Sequence, residues 1–222
     1  MSYRIKKVAV LGSGVMGSGI ACHLANVGLE VLMLDMPTEG PNRNAIAQNA
    51  LTTAIKSKPA PLYKKEFASR ISLGNFEDDL SKLSDWDWII EVVVERLDMK
   101  KSLFEKVENH RRAGSLITSN TSGIPINLLA EGRTDDFRNH FCGTHFFNPA
   151  RYMSLLEIIP YDGVNQKVID FFMHFGDVIL GKKTVLCKDT PAFIANRIGF
   201  FSGNKINELT DKYKLKISDV DK

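Results

Sequence analysis

The sequence predicts an α/β fold with a doubly wound, mostly parallel sheet, and three observations carry that expectation. Short apolar runs alternate with stretches of helical period along nearly the whole chain. Residues 6–35, KKVAVLGSGVMGSGIACHLANVGLEVLMLD, join two such runs through a glycine-rich turn and an apolar helix. Trp88-Ile89-Ile90-Glu91-Val92-Val93-Val94 is β-branched and nearly continuous, as in a strand covered on both faces.

In order, the first strand is 8–11, followed by a helix over about 15–27 that Gly28 stops. A second strand, 31–34, ends in Asp35. A polar turn leads to a helix over 44–58, closed by Pro59-Ala60-Pro61. The mixed segment 62–83 holds a basic patch with Tyr63 and Phe67, a short strand at 70–73 and the acidic stretch 77–79. The strand over 88–94 ends in Glu95, and 98–112 is an amphipathic helix with Met99, Leu103, Phe104 and Val107 on one side. Strands follow at 115–118, 141–146 and 153–159, with a short helix from Pro125 between the first two. Residues 166–180 are helical and 183–187 form the last strand. From Pro191 a long helix carries Ile194, Ile198, Phe201, Ile206 and Leu209 at helical intervals, and the charged tail 211–222 closes no core. The domain division is 1–190 for the sheet and 191–222 for a linking helix.

With 44% hydrophobic and 25% charged residues, the 222-residue chain is ordinary for a globular protein. A net charge of +3 is too small to argue for nucleic acid. Cys22, Cys142 and Cys187 are odd in number, widely spaced and without a CxxC pair, which suggests a reducing compartment and no metal site. The apolar run after Lys6-Lys7 breaks at Gly12, so it is a strand and not a signal peptide. No run reaches the roughly 18 apolar residues of a membrane span. The expected location is cytoplasmic.

The glycine turn has a chemical use in this context. Gly12 permits the tight turn, Gly14 lets the backbone approach a diphosphate, and Gly17 lets the helix pack on the strand. The exposed N–H groups after Gly14, at Val15, Met16 and Gly17, and the positive helix end face that diphosphate. Asp35 accepts hydrogen bonds from an adenosine ribose and repels a 2′-phosphate, and Met36-Pro37 offers no arginine, which favours NAD over NADP. This is a Rossmann-type dinucleotide site; the plain alternative is an ordinary glycine-rich strand-to-helix turn.

Ligands of such sheets sit at the carboxyl ends of strands, which picks out Glu95, residues 119–122 and residues 145–149. His145 is the candidate acid/base, since imidazole titrates near neutrality. His23, His110, His140 and His174 lack comparable polar company. A strand-end histidine is often only structural, but Glu157, inside Leu155-Leu156-Glu157-Ile158-Ile159, is costly to bury unless paired. A hairpin through Asn148-Pro149-Ala150 would set it beside His145 and fix one imidazole tautomer. The alternative is a glutamate on the solvent side of an edge strand. Ser122 is either a hydroxyl near the nicotinamide end or a helix cap before Pro125. Asn196, near the start of an apolar helix, is unremarkable by itself.

Taken together, the chain closely resembles the NAD-binding domain of L-3-hydroxyacyl-CoA dehydrogenase, through Gly12 to Gly17, Asp35, Val94-Glu95 with Lys100, Ser119-Asn120-Thr121-Ser122, His145-Phe146-Phe147-Asn148-Pro149, Leu156-Glu157, and Asp189-Thr190-Pro191 to Asn196-Arg197. The resemblance implies that His145 is the base, Glu157 its partner, and Ser122 and Asn196 the polar groups around the reacting oxygen. It implies that Glu95, Lys100, Ser122 and Asn148 line the NAD site with Asp35. THFFNPARYMSLLEIIP and SKPAPL look most like the long β-oxidation proteins, in which an enoyl-CoA hydratase domain follows. There are two departures. A family serine that contacts CoA aligns with Ala50, leaving only Lys56 or Lys58 for the nearby lysine contact. The family's all-helical C-terminal domain, which completes the cleft and usually provides the homodimer interface, is missing. Residues 205–222 look like its beginning, so the expectation is a truncated chain.

The leading expectation is NAD-dependent oxidation of a (3S)-3-hydroxyacyl-CoA, with no nucleic-acid, membrane or metal partner. One alternative is an isolated NAD-binding module, inactive without the missing domain. Another is a dehydrogenase for a small 3-hydroxy acid that does not need CoA.

Overall fold

The computed structural model describes residues 3–220. Its elements are β1 (Lys7–Leu11), α1 (Val15–Asn26), β2 (Glu30–Asp35), α2 (Ala45–Lys56), β3 (Ile71–Asn75), β4 (Trp88–Glu91), α3 (Leu97–His110), β5 (Leu116–Ser119), α4 (Ile126–Ala130), α5 (Asp135–Asn139), β6 (Phe141–Phe146), β7 (Leu155–Ile159), α6 (Gln166–Val178), β8 (Lys183–Leu186), α7 (Ala195–Tyr213) and α8 (Ile217–Val220). The strands form one sheet in the order β3-β2-β1-β4-β5-β6-β7-β8. All neighbours are parallel except β6 and β7. The winding direction reverses between β1 and β4, which opens a crevice at their carboxyl ends.

Alternation along each strand divides the core into two layers. Val8 and Val10 of β1 join Trp88, Ile90 and Phe172 beneath α1 and α6. Ala9 and Leu11 join Leu32, Ile89, Leu103 and Val107 beneath α3. Phe104, Ile117, Phe137, Phe141 and Ile159 extend that second layer toward β7. With helices on both faces, the central strands are apolar throughout, which is why their runs are continuous in the sequence.

Several boundaries differ from the sequence expectation. The strand over 88–94 stops at Glu91, because the Val93 N–H turns back to donate to the Glu91 carboxylate at 2.7 Å. The second helix ends at Lys56 and not at residue 58, since Ser57 is already extended. Two 3₁₀ turns, Lys65–Arg70 and Leu80–Asp85, lie in segments whose mixed polarity gave no period to read. The long helix begins at Ala195 and not at Pro191. Ala192 and Phe193 hold left-handed φ values of 62° and 48°, a strain of about 1–3 kcal/mol each. Of the charged tail expected over 211–222, residues 221 and 222 lie outside the described residues.

The apolar residues of α7 remain at the surface, Ile198, Phe200, Phe201 and Ile206 all being exposed. No helix among the described residues is long and apolar enough to cross a membrane. Cys22, Cys142 and Cys187 are free and buried.

His23 of α1 is enclosed, its Nε2–H donating to the Leu180 carbonyl at 3.0 Å. Burial, reinforced by nearby Lys182, lowers its pKa to about 4. Between the ordinary histidine value and that one, the unfolded chain binds a proton that the folded chain refuses, so acid favours unfolding. This group is expected to remove about 2 kcal/mol of stability between pH 7.5 and 5. Urea unfolding at the two pH values should show that loss, and His23→Gln should abolish it. An equal loss in the variant would show that the imidazole is not held neutral.

Candidate active site

The glycine turn closes over the end of β1 because nothing larger fits. A Cβ at Gly12 would stand 2.7 Å from the Val92 carbonyl oxygen, where φ is already +107°. A Cβ at Gly17 would stand 1.9 Å from the Gly12 carbonyl oxygen, so helix and turn pack backbone to backbone. Gly14, by contrast, faces open space at the N-terminus of α1, whose first turn carries no acidic residue. That is the condition under which a helix end accepts an anion. Asp35, ending β2, accepts from the Ser13 N–H at 2.6 Å and the Ser13 hydroxyl at 2.5 Å, tying the turn to the second strand.

A cavity of about 730 Å³ runs beside this turn, lined by Gly12, Gly14, Val15, Met16, Asp35 and Val92 to Val94, among others. Open backbone at Gly14, an unopposed helix dipole and a carboxylate at the ribose position together fit a dinucleotide. A second cavity, about 380 Å³, joins Gly14 and Val15 to Asn148 and Pro149, so the glycine turn and the turn after β6 share one rim.

The next strand end holds a buried acid–base cluster. Glu91 and Lys100 are both enclosed, with their charged groups 2.6 Å apart. Glu91 also accepts from Ser119 Oγ at 2.5 Å. Burial pushes the Glu91 carboxyl up, opposed chiefly by the Lys100 ammonium. Glu95 lies 3.3 Å from the same ammonium and accepts from Thr121 Oγ1 at 2.5 Å and from the Ser122 N–H at 2.9 Å. Burial would raise the Glu95 carboxyl, yet the Thr121 bond and Lys100 outweigh it and hold it below the ordinary range. Lys100, expected to line the cofactor site, is therefore almost wholly covered and touches the rim through Glu95. Ser122 is exposed on the turn that Glu95 holds.

His145 and Glu157 face each other across the antiparallel β6–β7 ladder. Nδ1 lies 2.7 Å from Glu157 Oε2, with both side chains buried. A carboxylate only accepts, so Nδ1 carries the hydrogen and Nε2 keeps a lone pair. Phe147 and Phe193 pack on the ring, with centroids at 4.4 and 5.6 Å. The other oxygen, Oε1, accepts from the N–H groups of Ala195 at 2.8 Å and Ile194 at 3.1 Å, where α7 begins. Burial would raise the Glu157 carboxyl, but these bonds, led by that of His145, hold it below the ordinary range. Because β8 covers β7, Glu157 is not on a sheet edge.

Asn196, half-buried, follows directly on Ala195, which carries it to the same end of the sheet. Asn148 is exposed at the shared rim. Lys56 and Lys58 are exposed at the end of α2 and do not line the second cavity, whereas Ala50 does. Asn120, within the strand-end stretch 119–122, accepts from the Phe146 N–H at 2.8 Å through its Oδ1, whereas Glu91 did not emerge from the sequence as a site residue. Glu91 carried the same signal as Glu157, an acid inside an apolar run.

Residues 7–190 match the family described as 3-hydroxyacyl-CoA dehydrogenase, NAD binding domain. A Bacillus subtilis protein named as a 3-hydroxyacyl-CoA dehydrogenase is 51% identical over 219 residues, covering 90% of this chain and 27% of that protein. A Rickettsia felis protein named as a fatty acid oxidation complex trifunctional enzyme is 41% identical over 223 residues, covering 100% of this chain and 31% of that protein. A solved structure of 3-hydroxybutyryl-CoA dehydrogenase from Escherichia coli K12 superposes with a TM-score of 0.72 at 31% identity, covering 88% of this chain and 40% of that one. The chain thus spans about a third or less of those two curated relatives.

Removing one member of the Glu91–Lys100 pair leaves the other charge buried and alone. Lys100→Met is expected to cost about 3–5 kcal/mol in urea unfolding. Adding Glu91→Gln to Lys100→Met should recover part of that loss. A double variant no more stable than Lys100→Met would show that the charges are not coupled.

Proposed function

Since this chain belongs to the 3-hydroxyacyl-CoA dehydrogenase family, with residues 7–190 matching its NAD-binding domain, we propose that it serves the NAD-dependent oxidation of (3S)-3-hydroxyacyl-CoA to 3-ketoacyl-CoA in fatty-acid β-oxidation. The observation that carries this reading is the 2.7 Å His145–Glu157 pair at the end of the sheet where the glycine turn opens. NAD, held by Gly12, Gly14, Val15, Met16, Gly17 and Asp35 with Glu95, Lys100, Ser122 and Asn148 nearby, supplies the hydride acceptor.

His145 Nε2 takes the proton of the C3 hydroxyl as the hydride leaves C3. Glu157 keeps Nδ1 protonated and stabilises the imidazolium that forms. Ser122 and Asn196 hydrogen-bond the oxygen as it becomes a carbonyl. Proton transfer of this kind is worth roughly two to four orders of magnitude in rate.

The domain division at residue 190, a cytoplasmic location, CoA contacts from Lys56 or Lys58, a homodimer through a C-terminal helical domain and a fused enoyl-CoA hydratase domain belong to the same proposal. The Rickettsia relative's name supports the fusion. The exposed apolar face of α7 favours a second reading, in which this segment alone binds NAD without turning over substrate.

His145→Gln, in a protein that includes the C-terminal domain, should lower acetoacetyl-CoA reduction by about two to four orders of magnitude. NADH affinity should stay within about twofold. Equal loss of both would make His145 a structural residue. Sustained turnover of acetoacetyl-CoA by this chain alone would exclude the inert-module reading. Comparing free 3-hydroxybutyrate with its CoA ester tests the need for CoA, and equal rates would contradict the proposal.

A further inference from the structure

Lys182 precedes β8 and is 5% exposed, yet no carboxylate lies within ion-pair distance among the described residues. Of the charged and titratable groups around it, His23 from α1 is buried and uncharged near neutrality, and the Arg151 guanidinium is turned to the Ala60 and Leu62 carbonyls. Asp177 of α6 is occupied elsewhere, accepting from the N–H and hydroxyl of Thr184. An ammonium in such a place is costly unless every proton finds an acceptor.

All its partners are backbone carbonyls of one turn. Lys182 Nζ donates to the carbonyl of Ala150, to that of Met153 at 2.8 Å and to that of Arg151 at 3.5 Å. This turn closes on itself through Tyr152 and Met153 N–H groups donating to the Pro149 carbonyl at 2.9 and 3.0 Å. It joins β6 to β7, the strands bearing His145 and Glu157, in the connection that also contains Asn148. Its outer side is fastened separately, Arg151 donating to the carbonyls of Ala60 and Leu62.

We propose that Lys182 is a positioning residue for the cofactor site: its ammonium gathers the carbonyls of the turn and so holds Asn148 against the glycine turn. The inference rests on the NAD reading given above and adds a residue to it. Burial lowers the Lys182 pKa to about 8, so the gathering charge is lost over an accessible range. Deprotonation removes the charge-assisted strength of those bonds.

NADH binding by this chain, followed by nucleotide fluorescence from pH 7 to 9.5, tests the inference together with hydrogen-exchange protection of the Tyr152 and Met153 amides. In the unsubstituted chain the Kd should rise about tenfold through one titration near pH 8, the worth of one hydrogen bond to a charged group. Protection of those two amides should fall with it, while that of β1 stays constant. Lys182→Met should bind about tenfold more weakly at pH 7 with no titration, and Lys182→Arg should bind tightly across the range. A flat Kd in the unsubstituted chain with both amides protected at pH 9.5 overturns the proposal, as does Lys182→Met binding as tightly as the parent. Failure of the unsubstituted chain to bind NADH at pH 7 refutes the cofactor reading itself and the inference with it. Binding indifferent to Lys182 refutes the inference alone.

Discussion

The whole right-hand half of the sheet is organised by the need to satisfy one buried carboxylate. Glu157 is inaccessible to water and accepts hydrogen bonds from three directions: the His145 ring and the N–H groups of Ile194 and Ala195. An unsatisfied carboxylate in that position would cost several kcal/mol, so β6, β7 and the start of α7 must assemble together or not at all. The same contact offsets the left-handed backbone at Ala192 and Phe193, which turns the chain out of β8 and into α7. Fixing the imidazole tautomer is thus a by-product of packing.

A second buried acid does the equivalent work at the other half of the rim. Glu91 ends β4 and collects Lys100, Ser119 Oγ and the Val93 N–H, and the same Lys100 ammonium reaches Glu95. Glu95 in turn holds the turn at Ser122. Two buried acids, one ending β4 beside the reversal between β1 and β4 and one inside β7, therefore shape the polar segments around the sheet. Lys182 completes the pattern with the opposite charge, gathering carbonyls where the acids gather N–H groups.

Much of this was legible in the sequence because it depends on local period and on residues with a single use. The continuous apolar runs marked the central strands, and Gly12 and Gly17 stood where their Cβ atoms would strike backbone. Glu157 was visible as an acid in an apolar run, and the hairpin through Asn148-Pro149 set its register against His145. What escaped notice depends on tertiary contact. Val92 to Val94 look like strand, but a side chain takes the Val93 N–H and ends the ladder at Glu91. Residues 191–194 look helical by period, yet Glu157, distant in sequence, draws the amides at 194 and 195 and delays the helix. Lys182 gave no signal because a lysine beside Lys183 reads as solvated surface, and its acceptors are backbone atoms some thirty residues away.

The most direct test of the central claim is a crystal structure of this chain with NADH and acetoacetyl-CoA. The nicotinamide ring is expected beside His145 on the carboxyl rim, with Nε2 within hydrogen-bond reach of the 3-keto oxygen and Nδ1 still on Glu157. A nicotinamide ring bound away from that pair, or a His145 that releases Glu157 when the ligands enter, would contradict it.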